Sequence, residues 1–322
     1  KPKKHKVISR KQSYHGNTLG ALAVGGNIQR RSLFEDLLIE TSLISPCYKY
    51  RFQDANESEI QYGLRVANEL EDEIIRLGPD NVMAFIAETV VGATAGALTP
   101  VKGYFERIRE ICTKYNVLLI LDEVMCGMGR TGPLFACDEE KIVPDIITIA
   151  KGLGAGYQPI AAMMCQNFIN DAINLGSGFF QHGHTYLGHP IACAASLAVV
   201  NKLIKENFFE KVRKKGEYLQ KSLEVTLSQN EYIGDIRGRG LFRAVELVQN
   251  RETKEPFAKN LNIAGKIKKK ALDLGLICYP MQGTVDGTVG DHILIAPPFI
   301  INENEMNEIS QKLKTTIESI CN

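Results

Sequence analysis

Two apolar runs in this 322-residue sequence end abruptly on residues able to do chemistry. Leu118-Leu119-Ile120-Leu121 delivers Asp122 and Glu123, and Ile146-Ile147-Thr148-Ile149-Ala150 delivers Lys151, followed by Gly152 and Gly154. Unbroken apolar runs of this length read as strands buried on both faces, and open α/β sheets bind ligands beyond the carboxyl ends of such strands. A carboxylate withdrawn from water needs a cation or a strong donor. Asp122 therefore faces a group such as a protonated pyridine nitrogen, or it caps the following turn. A lysine amine in a desolvated pocket loses protons more readily and becomes a nucleophile toward carbonyls. The rival role for Lys151 is phosphate binding, although no Gly-x-x-x-x-Gly precedes it as a P-loop requires.

The elements that must position these residues alternate. Strands are expected at 6–9, 82–88, 117–121, 145–150 and 159–165, and helices at 19–26, 57–77, 103–115 and 189–204. That order implies an α/β domain built on a mostly parallel sheet. Past residue 205 the pattern changes to a charged helix reaching Leu227, strands at 241–247, 276–279 and 292–295, and helices at 260–274 and 303–319. The expected division is a large domain over 1–205 and a smaller α+β domain over 206–322, consistent with a chain too long for one core.

A formal net charge of +1 favours neither nucleic acid nor an anionic membrane surface as a partner. The basic stretch from Lys1 to Lys6 reads as a solvated chain entry. Eight cysteines at irregular spacing, with no Cys-x-x-Cys, read as reduced packing residues rather than a disulfide framework or metal site. No apolar run reaches the roughly 20 residues that span a bilayer, and no signal-peptide pattern opens the chain, so a cytoplasmic location is expected. His182 and His184 flank a glycine and read as turn packing; Arg237-Gly238-Arg239-Gly240 reads as a structural entry to a strand.

The order of Tyr14-His15-Gly16, Asp122-Glu123-Val124, Gly127-Met128-Gly129-Arg130-Thr131-Gly132, Ala150-Lys151-Gly152, His184-Thr185 and Ala296-Pro297-Pro298-Phe299 resembles class III (omega-type) aminotransferases. These are fold-type I enzymes that use pyridoxal 5′-phosphate (PLP). The resemblance covers essentially the whole chain and implies the aspartate aminotransferase-like fold. It implies that Lys151 carries the cofactor as a Schiff base and, once freed, shuttles the substrate proton. Asp122 would hold the ring nitrogen, Val124 and Tyr14 would flank the ring, and His15 and Glu88 would lie near it. Thr185 would reach the cofactor phosphate of a neighbouring subunit, which implies a homodimer with shared active sites. An amino donor and an oxo-acid acceptor would be the substrates.

The sequence departs from the family pattern in two places. The phosphate-binding Ser-Gly-(Ser/Thr) turn that precedes these motifs in the family is not found, so the chain reads as N-terminally incomplete. No arginine follows Arg251, and Ala93 stands where a glutamate would pair with a carboxylate-clamping arginine. Loss of both partners is coherent, because either alone would be a costly buried charge. It points to the branch acting on amines and ω-amino acids, with pyruvate a common acceptor. Two alternatives remain open: another PLP reaction on the same fold (an aminomutase, racemase or decarboxylase), or a non-catalytic fragment.

Overall fold

A computed structural model of the chain describes residues 3–321. Its first sheet holds six strands in the order β2-β1-β3-β4-β5-β6: β1 Lys6–Arg10, β2 Ser42–Ile44, β3 Val82–Glu88, β4 Leu118–Asp122, β5 Ile146–Ile149 and β6 Ala162–Cys165. The first five run parallel and β6 is antiparallel to β5. Their shared direction brings Arg10, Glu88, Asp122 and the approach to Lys151 to one edge. This mostly parallel α/β sheet is the one expected. Its core packs Phe85, Leu119 and Leu121 against Leu70 and Ile74 of the helix Glu59–Leu77 and Ile108 of the helix Tyr104–Lys114.

The local chemistry explains why those helices start and stop where they do. Ser58 and Gln61 form a reciprocal capping box before Glu59, and Gly78, at φ +86°, ends the run. Such a cap is worth about 1 kcal/mol. The apolar positions Tyr62, Val66, Leu70 and Ile74 recur at helical spacing and are fully or almost fully buried.

A second, antiparallel sheet runs β7-β8-β10-β9, from β7 Ile233–Arg239, β8 Phe242–Leu247, β9 Tyr279–Gln282 and β10 Asp291–Ile295. The helices Phe208–Leu227, Ile263–Asp273 and Glu303–Cys321 cover it through Leu219, Leu223, Ile267, Leu313 and Ile317. The strand expected at 276–279 instead occupies Tyr279–Gln282. It is an edge strand, where Pro280 needs no donor for the ladder. Strands β2 and β7 and the helix Asn167–Leu175 were not expected from the sequence.

Two expectations about side chains need correction. All eight cysteines are free thiols, but Cys165 and Cys193 are exposed rather than packed, because β6 and the helix Pro190–Lys205 turn those faces outward. Lys1 and Pro2 lie outside the described residues, and the rest of the basic entry is not simply solvated: Lys4 Nζ donates to the carbonyls of Tyr115 and Asn116 at 3.0 and 2.8 Å. No helix among the described residues is long and apolar enough to cross a membrane.

Candidate active site

The carboxyl edge of the first sheet gathers a tight polar cluster. Glu88, Asp122 and Thr148 are register partners across β3, β4 and β5. Asp122 is 6% exposed and surrounded by donors: His15 Nδ1 lies 2.8 Å from Oδ2, the Val124 amide 3.0 Å from Oδ1, and Thr148 Oγ1 3.5 Å from Oδ1. Three polar partners on one buried carboxylate fix its orientation. His15 is itself tied down, since Nε2 lies 3.5 Å from Ser9 Oγ, which bonds Ser13 Oγ at 3.2 Å.

Glu123, the second acid of the motif, has a different job. Fully buried, it accepts from the amides of Ala136 and Cys137 at 2.6 and 2.8 Å and from Thr89 Oγ1 at 2.9 Å. It ties the turn after β4 to two loops. Glu88 is 7% exposed; burial first, then the charge of Asp122, pushes its carboxyl up to about 8, while Arg10 pulls it back.

Lys151 opens a short 3-10 turn right after β5, at φ +41°. For a non-glycine residue this left-handed setting is strained, and such strain concentrates at functional sites. The side chain is exposed and lines an open cavity of about 1110 Å³ with Arg130, Tyr157, Ile160, Leu203 and Phe299. Arg130 donates to the carbonyls of Leu241 and Pro297 at 3.0 and 2.6 Å and lies 4.5 Å over the Phe299 ring. With no carboxylate beside it, burial pushes its guanidinium down to about 10. Asp122 does not line this cavity.

Of the residues singled out from sequence, His15, Glu88, Asp122 and Val124 come together, and Lys151 follows the strand that carries Thr148. Tyr14 is next to His15, and one face of its ring is taken by the Arg30 guanidinium at 4.3 Å. Thr185 stands apart, exposed in the stretch before the helix Pro190–Lys205, and among the described residues no hydrogen bond joins it to the cluster. His182 and His184 meet edge to face at 5.2 Å, in keeping with turn packing. Thr148 and Arg10 escaped sequence reading. Their position at the carboxyl ends of strands was the available signal.

Behind the cluster, loop 92–97 joins the two sheets. Arg237 of β7 donates to the carbonyls of Ala95 and Gly96 at 2.7 and 2.8 Å and to Asp235 and Glu246 at 2.9 and 2.5 Å. Glu246, fully buried on β8, also takes Arg51 Nε at 2.7 Å and the Tyr48 hydroxyl. Gly96 is at φ +65° with its missing Cβ 2.6 Å from the ring of His292, so no larger residue fits. Burial pushes His292 down to about 3, so it stays neutral there.

With this geometry in hand, comparison with known proteins is decisive: the aminotransferase class-III family matches residues 1–317. The chain belongs to that family. As a class III aminotransferase family member it is 45% identical over 319 residues to a protein named Aminotransferase from Gibberella zeae, covering 98% of this chain and 62% of that one. It is 36% identical over 313 residues to gamma aminobutyrate transaminase 3, chloroplastic, of Solanum lycopersicum, covering 96% and 58%. An (S)-enantioselective omega-transaminase from Thermomicrobium roseum superposes with TM-score 0.91 at 33% identity, covering 99% of this chain and 68% of that structure. The chain thus spans 62% and 58% of the lengths of the two relatives named first.

Proposed function

We propose that this chain acts as a PLP-dependent aminotransferase, taking an amino group from an amine or ω-amino acid and giving it to an oxo acid such as pyruvate. The observation that carries this reading is the buried Asp122, oriented by His15, Val124 and Thr148 at the carboxyl end of β4. Its donors leave it suited to one more cationic partner, and a pyridinium nitrogen fits that need. The donor set around Asp122 supports this cofactor: in this reading Asp122 would hold the ring nitrogen, Lys151 the carbonyl carbon, and Val124 and Tyr14 the ring faces.

PLP supplies an electron sink that no side chain offers. The chain's own residues do the rest. Lys151 Nζ would hold the cofactor at its carbonyl carbon and, once free, would carry the proton released from the substrate carbon. Asp122 would pair with the ring nitrogen, and His15 holds Asp122 in place. No arginine follows Arg251 and Ala93 stands in place of the glutamate that would pair with one, which supports an amine or ω-amino acid over an α-amino acid as donor. Transamination is favoured over mutase, racemase or decarboxylase chemistry by the likeness to proteins named as transaminases.

The working unit in this proposal is a cytoplasmic homodimer in which Thr185 serves the partner's site. The exposed apolar side chains Phe179, Phe180, Tyr186, Leu187 and Ile191 around Thr185 support a protein partner there, since patches of this kind rarely stay bare. The division of the chain at residue 205 into a cofactor-binding unit and a smaller one is part of the same reading.

The test is an absorption spectrum with added PLP, before and after borohydride, for the parent and Lys151→Ala. A visible band fixed by reduction only when Lys151 is present is the expected result, followed by turnover of amines against pyruvate. A band that survives reduction-trapping equally in Lys151→Ala would overturn the assignment.

A further inference from the structure

Glu88 and Asp122 stand side by side on neighbouring parallel strands, which lie about 4.8 Å apart in any sheet. Two ionised carboxylates so placed and so buried would repel strongly. Their surroundings differ. Asp122 has three donors, whereas Glu88 Oε2 is buried without a hydrogen-bond partner among the described residues. The cation beside Glu88 does not neutralise it directly: Arg10 Nη2 donates to the main-chain oxygen of Glu88. Arg10 also lies 5.9 Å from the Phe105 ring centroid, so part of its environment is apolar.

Carboxyl pairs in unequal surroundings divide their protons, one staying charged and the other neutral. We propose that Glu88 and Asp122 are such a divided pair, with the proton on Glu88, which as a neutral carboxylic acid offers an O–H donor at the same edge. Glu88 is then a positioning residue, which keeps a second negative charge away from Asp122. The charged and titratable groups facing it are Asp122 from β4, Arg10 from β1, His15 through Asp122, and the thiol of Cys126, itself pushed well above the usual range. The Tyr14 and Gly92 amides also approach it and pull the other way, against burial and Asp122. The role of the pair in catalysis rests on the aminotransferase reading, but the protonation state does not.

The sign of the pH effect follows. Glu88 is raised from 4.5 to about 8, so the folded chain keeps a proton that the unfolded chain releases, and stability is lost as pH rises through that window. Glu88→Gln imitates the neutral acid and removes the loss. Without cofactor, the melting temperature of the parent should fall relative to Glu88→Gln between pH 4.5 and about 8. The infrared spectrum of the parent at about pH 7 should show a neutral carboxylic acid band that shifts on ¹³C-glutamate labelling and is missing from Glu88→Gln. With cofactor, the pH profile of the parent should carry an inflection near 8 that Glu88→Gln lacks.

Parallel melting curves with no Glu88 acid band would overturn the divided pair and leave the Lys151 test untouched. So would a Glu88→Gln pH profile that keeps the parent's inflection near 8. Should Glu88→Gln not fold, Glu88→Met serves for the melting and infrared comparisons. Failure of the Lys151 borohydride test would not alter either of those two readouts.

Discussion

The carboxyl edge of the first sheet and the stretch 155–204 lie in one chain and could hardly be built more differently. At the edge, Arg10, Glu88, Asp122 and Glu123 are all buried, and Asp122 and Glu123 have donors on both carboxylate oxygens. In the stretch, Tyr157, Leu175, Phe179, Tyr186 and Leu187 are each more than two-thirds exposed, and even the strand β6 shows Met163 and Met164 to solvent. One region is complete in its own contacts; the other presents apolar surface. Lys151 is the junction, exposed on a strained turn between them. The contrast teaches that the part of the site that sets charge is self-sufficient, whereas the part that would meet the cofactor phosphate and Lys151 depends on what covers 155–204.

Substitutions can break this contrast. The largest effect is expected at Arg237→Met, which removes one of the two guanidinium partners of the buried Glu246 and frees two loop carbonyls, and should cost about 3–5 kcal/mol of stability in denaturant unfolding. A loss below about 1 kcal/mol would mean that Tyr48 and Arg51 satisfy Glu246 alone. Next comes Asp122→Asn, expected to lower turnover about 10²–10³-fold while the protein still melts near the parent temperature. His15→Ala removes one bond to that charged group and should cost about 1.5–3 kcal/mol, read as a fall in kcat of roughly 10–100-fold. The smallest effect is at Leu187→Ser, within about 0.5 kcal/mol of the parent in stability. Its effect on mass by light scattering is the sharper reading: a shift toward monomer supports 155–204 as a subunit contact, and an unchanged mass removes that support.

Sequence reading succeeded where local pattern and burial agree. The runs ending at Asp122 and Lys151 are almost entirely apolar because one face of β4 and β5 is buried and the other at least half-buried, so their ends could be located without a structure. It failed where the pattern is weak. β2 is three residues long, and β7 reads Ile-Gly-Asp-Ile-Arg-Gly-Arg, whose charges face a buried ion network rather than solvent. Glu246 and Arg237 look like surface residues until the sheet brings them together. The candidate acids were legible one at a time, but that His15 binds Asp122, and that Glu88 lies beside it, depends on strand order, which spacing along a chain does not carry. Cys165 and Cys193 misled for a related reason: apolar neighbours in sequence do not fix which face of an element is covered.

Arg237 has a mechanical consequence. Its guanidinium grips two carbonyls of loop 92–97 while its own strand belongs to the second sheet, and Thr94 of that loop bonds the main chain of Gln12 just before Tyr14 and His15. Any rotation of the second sheet therefore drags on the loop behind Glu88 and, through it, on the residues that hold Asp122. The wall of the site and the second sheet thus share a polar seam that does not run through the apolar core.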